Sequence, residues 1–141
     1  MFFIVLPLSQ LASVTASSFY GPSGSPTVQG NYLVDRLSGG GWNSGGFAPK
    51  YVQLELPTTY NISNVLLKVS QSPNGVTRDE LSTGATTSSL QVVRTLNSYT
   101  SAGQWINITF NPQLSGIRFL RVTTTSSPSW VAWHKFIVYG F

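Results

Sequence analysis

The 141-residue sequence contains no cysteine, which excludes disulfides and thiolate metal sites and leaves the redox compartment open. Charge is scarce as well. Asp, Glu, Lys and Arg make up 9% of the chain, against roughly 25% in an average globular protein. The four acids are Asp35, Glu55, Asp79 and Glu80, and the single histidine is His134. Paired-carboxylate hydrolysis needs two acids held across a substrate, but Asp79 and Glu80 are neighbours whose side chains diverge in an extended segment. Glu55 falls within a strand pattern, and Asp35 adjoins Arg36 as an ion pair or loop anchor. A Ser or Thr nucleophile has only His134 to draw on as a base, and a position in a strand interior beside Lys135 suits packing. One imidazole, no thiolate and four scattered carboxylates do not make a transition-metal site. The composition points away from an enzyme, and no cofactor is expected.

Long apolar runs are missing too: none reaches the ~18 residues of a membrane span. The opening MFFIVLPLSQLASVTA imitates a secretory signal, yet it lacks a basic n-region and is interrupted by Pro7, so no cleaved signal peptide is expected. Residues 1–11 read as an N-terminal strand or assembly arm and residues 12–141 as one domain. An exposed Phe2-Phe3-Ile4-Val5-Leu6 strand invites aggregation unless it is paired. Residues 1–8 are therefore expected to form an edge strand or a contact with other protein subunits. The net charge of +4 comes from eight basic residues, dispersed apart from Arg118-x-x-Arg121, and nucleic-acid binding is not expected.

What is present is a period-two pattern. In YVQLEL, Val52, Leu54 and Leu56 share one face and Tyr51, Gln53 and Glu55 the other, as in a half-buried strand. ISNVLLKV, SLQVVRTL, QWINITF, IRFLRVTTT and WVAWHKFIVY follow, bounded by Gly, Pro, Asn or Ser, and no helical stripe persists. The pattern predicts an all-β sandwich or jelly roll. In the closing SPSWVAWHKFIVYGF, alternation puts Val131, Trp133, Lys135 and Ile137 on one side and Ala132, His134, Phe136 and Val138 on the other.

Three segments rich in Gly, Pro, Asn and Ser read as loops: residues 17–31, 37–50 and 70–80. A weakly charged, hydrogen-bonding surface suits neutral polar ligands such as glycans, or packing into a larger assembly. Sugar recognition needs aromatic faces for the apolar side of a pyranose and amides or charged groups for its hydroxyls. The candidate ligand-binding residues are Tyr20, Asn43, Phe47, Gln71, Asn74, Arg78, Asp79 and Trp130, with Trp42 and Asn31 in the same segments and Tyr99 further along the chain.

SWVAWHKFIVYG resembles the terminal strand of discoidin-like (coagulation factor 5/8 type C) domains, a galactose-binding-like group with bacterial carbohydrate-binding relatives. WNSGGFAPKYVQLEL, VLLKVSQSPNGVT, and QWINITF followed by SGIRFLRVTTTSSPSWVAW are similar to further segments of that group in the same order. The likeness spans roughly residues 12–140 and suggests a bacterial or phage type. It implies an eight-stranded jelly-roll β-sandwich with ligands bound by loops at one end and no catalysis. Members bind galactose-type sugars, other glycans, lipid head groups or proteins, so the fold does not select a ligand.

Many bacterial relatives hold a structural calcium with an Asp-Gly-Asn turn and an acid in the last strand. Here those positions read Gln29-Gly30-Asn31 and Lys135. The calcium site is expected to be lost, because an amide and an ammonium replace two anionic donors, and the Lys135 ammonium is expected to satisfy loop carbonyls instead. Relatives often carry a histidine after the Gly-x-Thr of the third loop, where this chain has Asp79. The disulfide and apolar loop spikes of the coagulation-type members are missing, and membrane binding is not expected. Two functions follow. One is a lectin-like module that binds a glycan or cell-surface polymer for attachment, within a larger particle at a virion or extracellular surface. The other is a bacteriophage virion structural protein, such as a capsid decoration, tail or baseplate component, in which the sandwich is mainly a packing unit.

Overall fold

The computed structural model describes residues 5–141. Seven strands, β1 (Ser13–Ala16), β2 (Trp42–Asn43), β3 (Lys50–Val69), β4 (Gly75–Gly84), β5 (Gln91–Thr100), β6 (Trp105–Ser126) and β7 (Ala132–Gly140), are accompanied by one α-helix, α1 (Pro26–Leu33), and three short 3₁₀ turns among the described residues. Every strand pairing is antiparallel.

The layers arise from two long, bent strands. Along β3 and β6 the register runs from Lys50↔Thr124 to Glu55↔Phe119, slips repeatedly between Glu55 and Asn64, and resumes from Asn64↔Thr109 to Lys68↔Trp105. Pro57 and Pro112 lie in the interrupted stretch, where a residue without an N–H breaks no ladder bond, and Gly116 turns the chain there with φ 70°. One layer then contains β1, the first half of β3, the second half of β6, β4 and β5. The other contains β7, the second half of β3 and the first half of β6, with two-residue β2 at its edge. Counting the bent halves separately and leaving β2 aside gives the eight strands of the expected jelly roll. Val52, Leu54 and Leu56 from one half of β3 and Val65, Leu67 and Val69 from the other join one core with Phe136 and Val138.

The alternation expected for the last strand fails at one point. Lys68 pairs with Lys135, but Val69 pairs with Trp133, so His134 is an extra residue in a β-bulge and the side-chain parity reverses across it. Trp133 therefore joins Phe136 and Val138 in the core cluster, on the side opposite to Lys135 and Ile137. Gly41 faces this bulge, and a Cβ there would come within 2.5 Å of the Trp133 carbonyl oxygen.

Residues 17–31 are not wholly loop, since α1 begins inside them. Ser25 caps its N-terminus by accepting from the Val28 N–H at 3.2 Å, with Pro26 in the first turn. The helix shows no apolar stripe because Gln29 and Gly30 occupy buried positions beside Leu33. Residues 70–80 divide at Gly75, where β4 starts. The polar Thr77 and Asp79 take inward positions there and disguise the alternation completed by Leu81.

Of the expected edge strand at residues 1–8, the first four lie outside the described residues. Val5 to Pro7 carry no strand, and Leu8–Leu11 form a 3₁₀ turn that packs against β7. Within it the buried Ser9 hydroxyl accepts from the Val138 N–H at 3.0 Å, satisfying an edge donor of β7.

Candidate functional site

Three loops meet at one end of the sandwich and are tied by backbone groups. Ser44 N–H donates to the Val131 carbonyl at 2.9 Å and Val131 N–H to the Gly46 carbonyl at 2.8 Å. Ser72 N–H donates to Ser129 Oγ at 3.1 Å. Between these loops lies an open cleft of about 460 Å³ lined by Asn43, Phe47, Ser70 to Pro73, Pro128 to Trp130 and Ala132. Trp130 is 39% exposed and Phe47 61%. Tyr20 packs edge-on against Trp130, with ring centroids 5.2 Å apart and planes at 73°, which holds the indole in one orientation. Asn43 Oδ1 accepts from the Gly45 N–H at 2.9 Å, which leaves its amide NH₂ free of that bond in a residue that lines the cleft.

Four of the eight residues singled out in the sequence, Asn43, Phe47, Gln71 and Trp130, line this cleft, and Tyr20 supports it through Trp130. Gln71 is partly engaged within the protein, accepting from Thr100 Oγ1 at 2.6 Å. Asn74 serves the turn, its Oδ1 accepting from the Ala102 N–H at 2.9 Å. Arg78 lies on β4 rather than on a loop, faces away from Asp79 by strand alternation, and sits 3.8 Å from Glu80. It does not line the cleft. Asp79 is 2% exposed and accepts from Thr124 Oγ1 at 2.6 Å. Burial pushes its carboxyl up to about 6, against the opposing effect of that hydrogen bond.

Trp42 belongs to the core and donates from Nε1 to the Ser18 carbonyl at 3.0 Å. Tyr99 is exposed on β5, and Asn31 Oδ1 accepts from Arg36 Nε at 2.8 Å. The cleft residues that the sequence did not single out are Ser70, Ser72, Pro73, Pro128, Ser129 and Ala132; the two Ser-Pro turns are the signal that could have marked them. His134 sits at the bulge, where burial first and the charges of Lys68 and Lys135 next push its imidazole down.

At Gln29 and Lys135, where the resemblance implies a calcium site lost from this chain, the donor set is unsuited to a cation. Gln29 is fully buried. Its Nε2 donates to the Tyr20 and Gly24 carbonyls, each at 2.8 Å, and its Oε1 accepts from the Asn43 N–H at 3.0 Å. Lys135 Nζ donates to the Tyr32 carbonyl at 2.6 Å and the Leu37 carbonyl at 3.3 Å and lies 3.2 Å from Asp35 Oδ1. Asp35 itself follows the helix with φ 65°. The ammonium takes up the carbonyl lone pairs that an ion would need, and no cluster of three or more His, Cys, Asp or Glu exists among the described residues.

No protein-family profile and no curated protein matches the chain by sequence. Solved structures match it over nearly the whole length. The module CpGH89CBM32-5 from Clostridium perfringens, in complex with GalNAc-β-1,3-galactose, aligns with TM-score 0.76 and 18% identity over 97% of this chain and 100% of its own. The family 32 carbohydrate-binding module of AlyQ, in complex with 4,5-unsaturated mannuronic acid, aligns with TM-score 0.70 and 19% identity over 99% and 98%. Chitosan-binding module 1 from a Paenibacillus chitosanase/glucanase aligns with TM-score 0.72 and 21% identity over 95% and 98%. At these identities the likeness is one of fold: the chain has an antiparallel jelly-roll β-sandwich like that of family 32 carbohydrate-binding modules.

Proposed function

We propose that the protein is a non-catalytic, lectin-like carbohydrate-binding module that attaches a larger particle to a glycan or cell-surface polymer. The observation that carries this reading is the cleft between the loops. The Trp130 and Phe47 rings offer apolar faces for the C–H side of a pyranose, and the Asn43 amide and the Ser70 and Ser72 hydroxyls offer neutral hydrogen-bonding groups for hydroxyls. Its size falls in the ~300–1,000 Å³ range of small-molecule sites. The neighbours of the same fold were solved with chemically different saccharides, and the loops that contact ligand are where such modules can diverge. Asp79 is the one acid lining this end among the described residues and is buried, which supports a binding reading over paired-carboxylate hydrolysis. An open cleft gives weak binding per site, raised to useful avidity by multiple copies. The test is a glycan array with the intact chain and Trp130→Ala: retained melting temperature with lost binding supports the reading, and no saccharide bound by the intact chain overturns it.

The second reading, a structural subunit of a virion or similar particle, is favoured by the exposed apolar side chains of Val5, Leu6 and Leu11 beside the N-terminus. Light scattering after size-exclusion chromatography tests it. Self-association abolished by Val5→Ser and Leu6→Ser supports an assembly role, and a monomer at high concentration argues against assembly through this surface.

A further inference from the structure

Trp133 is 4% exposed, and its indole N–H has no hydrogen-bond partner, alone among the buried side-chain polar atoms of the described residues. A buried donor left unpaired costs about 1–3 kcal/mol, so an orphan in a well-packed sandwich points to a partner from outside the chain. Trp133 lines a cavity of about 20 Å³ that Asp79 also lines, together with Thr77, Thr100 and Thr124. Asp79 takes a hydrogen bond from Thr124 alone, and no cation pairs with it among the described residues. The cavity shares Ser70, Gln71, Trp130 and Ala132 with the floor of the cleft. Trp133, with an indole N–H in want of an acceptor, and Asp79, with a carboxylate that accepts a single hydrogen bond, thus line one chamber, and it adjoins the cleft.

Few groups satisfy both walls. An ammonium pairs with Asp79 but offers nothing to the Trp133 N–H, an anion accepts from Trp133 but is repelled by Asp79, and an apolar group serves neither. A hydroxyl accepts with its lone pairs and donates its single hydrogen. The volume suits one oxygen, since a cavity of roughly 10–15 Å³ on this measure holds a water.

We propose that this chamber is a specificity subsite for a single saccharide hydroxyl, which accepts a hydrogen bond from Trp133 Nε1 and donates one to the Asp79 carboxylate. This deepens, and rests on, the carbohydrate-binding reading above. Asp79 discriminates between saccharides by what they place in the chamber, and the Trp130 stack discriminates little. The groups that face Asp79 are Thr77 on its own strand, Thr100 on β5, Thr124 on β6, and Gln71, Ser127 and Trp133 from the loop end and β7. None of them titrates near neutrality, so a pH effect between 5 and 7 at this site acts through Asp79. The charge-assisted bond to a carboxylate is roughly twice as strong as a neutral one, and the affinity falls as the carboxyl is protonated below about 6.

The experiment is an array of galactosides, mannosides and glucosides together with their monodeoxy forms at each position, read with the intact chain, Asp79→Asn and Trp133→Phe. For a saccharide that binds, one deoxy form is expected to lose roughly ten- to a hundredfold with the unmodified chain. Both variants lose affinity for the parent sugar and no longer distinguish it from that deoxy form. A second arm needs no variant: with the unmodified chain, affinity for the parent drops between pH 7 and pH 5 while affinity for the deoxy form does not. If no deoxy form is singled out and the pH profile is flat, the chamber holds only water and the subsite is overturned while the carbohydrate reading stands. If no saccharide binds at all, both fall.

Discussion

The Lys135 ammonium donates to the carbonyl oxygen of Tyr32 at 2.6 Å, joining residues 103 positions apart. With its bond to Leu37 and its contact with Asp35, it fastens the exit of α1 to β7 from a position that is only 8% exposed. Lys135→Met keeps the stem and removes the charged donor to the Tyr32 and Leu37 carbonyls, of which the first keeps only its bond from the Asp35 N–H at 3.2 Å. The expected loss is about 2–3 kcal/mol, read by urea unfolding. Calcium and a chelator are each expected to leave the melting temperature of the unmodified chain unchanged; a rise with calcium would show that an ion still fits this loop.

Gln29 gives a sharper test of the same region. Its Nε2 points at two carbonyl oxygens, each 2.8 Å away, so Gln29→Glu replaces a donor by an oxygen facing oxygens. The variant should unfold at lower urea than Gln29→Ala at pH 7, with partial recovery at pH 4 as the carboxyl regains a proton. Equal stabilities of the two variants at pH 7 would argue against that orientation of the amide.

Asp79 links stability to pH. Its carboxyl lies at about 6 in the folded chain, above the roughly 3.9 of an unfolded aspartate, so the folded state binds more protons between those values. This group's contribution is largest at the acid end of that window, declines as pH rises from about 4 to about 6, and is constant above it. The span is worth about 3 kcal/mol. Asp79→Asn should therefore stabilise the chain at pH 7.5 relative to pH 4.5 when each is compared with the parent in thermal melts. An unchanged difference across that range would contradict the burial of an uncompensated carboxyl.

At the cleft, Trp130→Ala and Arg78→Ala should behave differently. Trp130 lines the cleft and Arg78 does not. The first is expected to weaken saccharide binding roughly tenfold or more, and the second to leave it within about twofold, both with melting temperatures close to the parent. Calorimetric titration with a saccharide identified on the array measures this; loss of binding in Arg78→Ala would move the site towards the outer face of β4.

Part of this molecule could be read along the chain. Val52, Leu54 and Leu56 repeat at the strand period and do reach the core, because alternation is a local property of extended backbone. The Gly- and Pro-rich segments that carry Asn43, Phe47 and Gln71 are visible for the same reason. What escaped depends on neighbours distant in sequence. The parity of β7 reverses at His134 only because Val69 of β3 pairs with Trp133, and nothing within the strand announces the extra residue. Arg78 and Asp79 looked alike as loop residues, yet strand pairing from both sides of β4 sends one outward to Glu80 and the other inward to Thr124.

By itself the sequence determined the all-β class, the apolar face of strands such as YVQLEL and the loops able to carry a ligand, since these follow from local periodicity and turn chemistry. Only the tertiary structure decided which loops meet, which buried polar groups find partners, and that Trp133 and Asp79 face one chamber, because burial and hydrogen bonding are set by chain segments that the sequence keeps far apart.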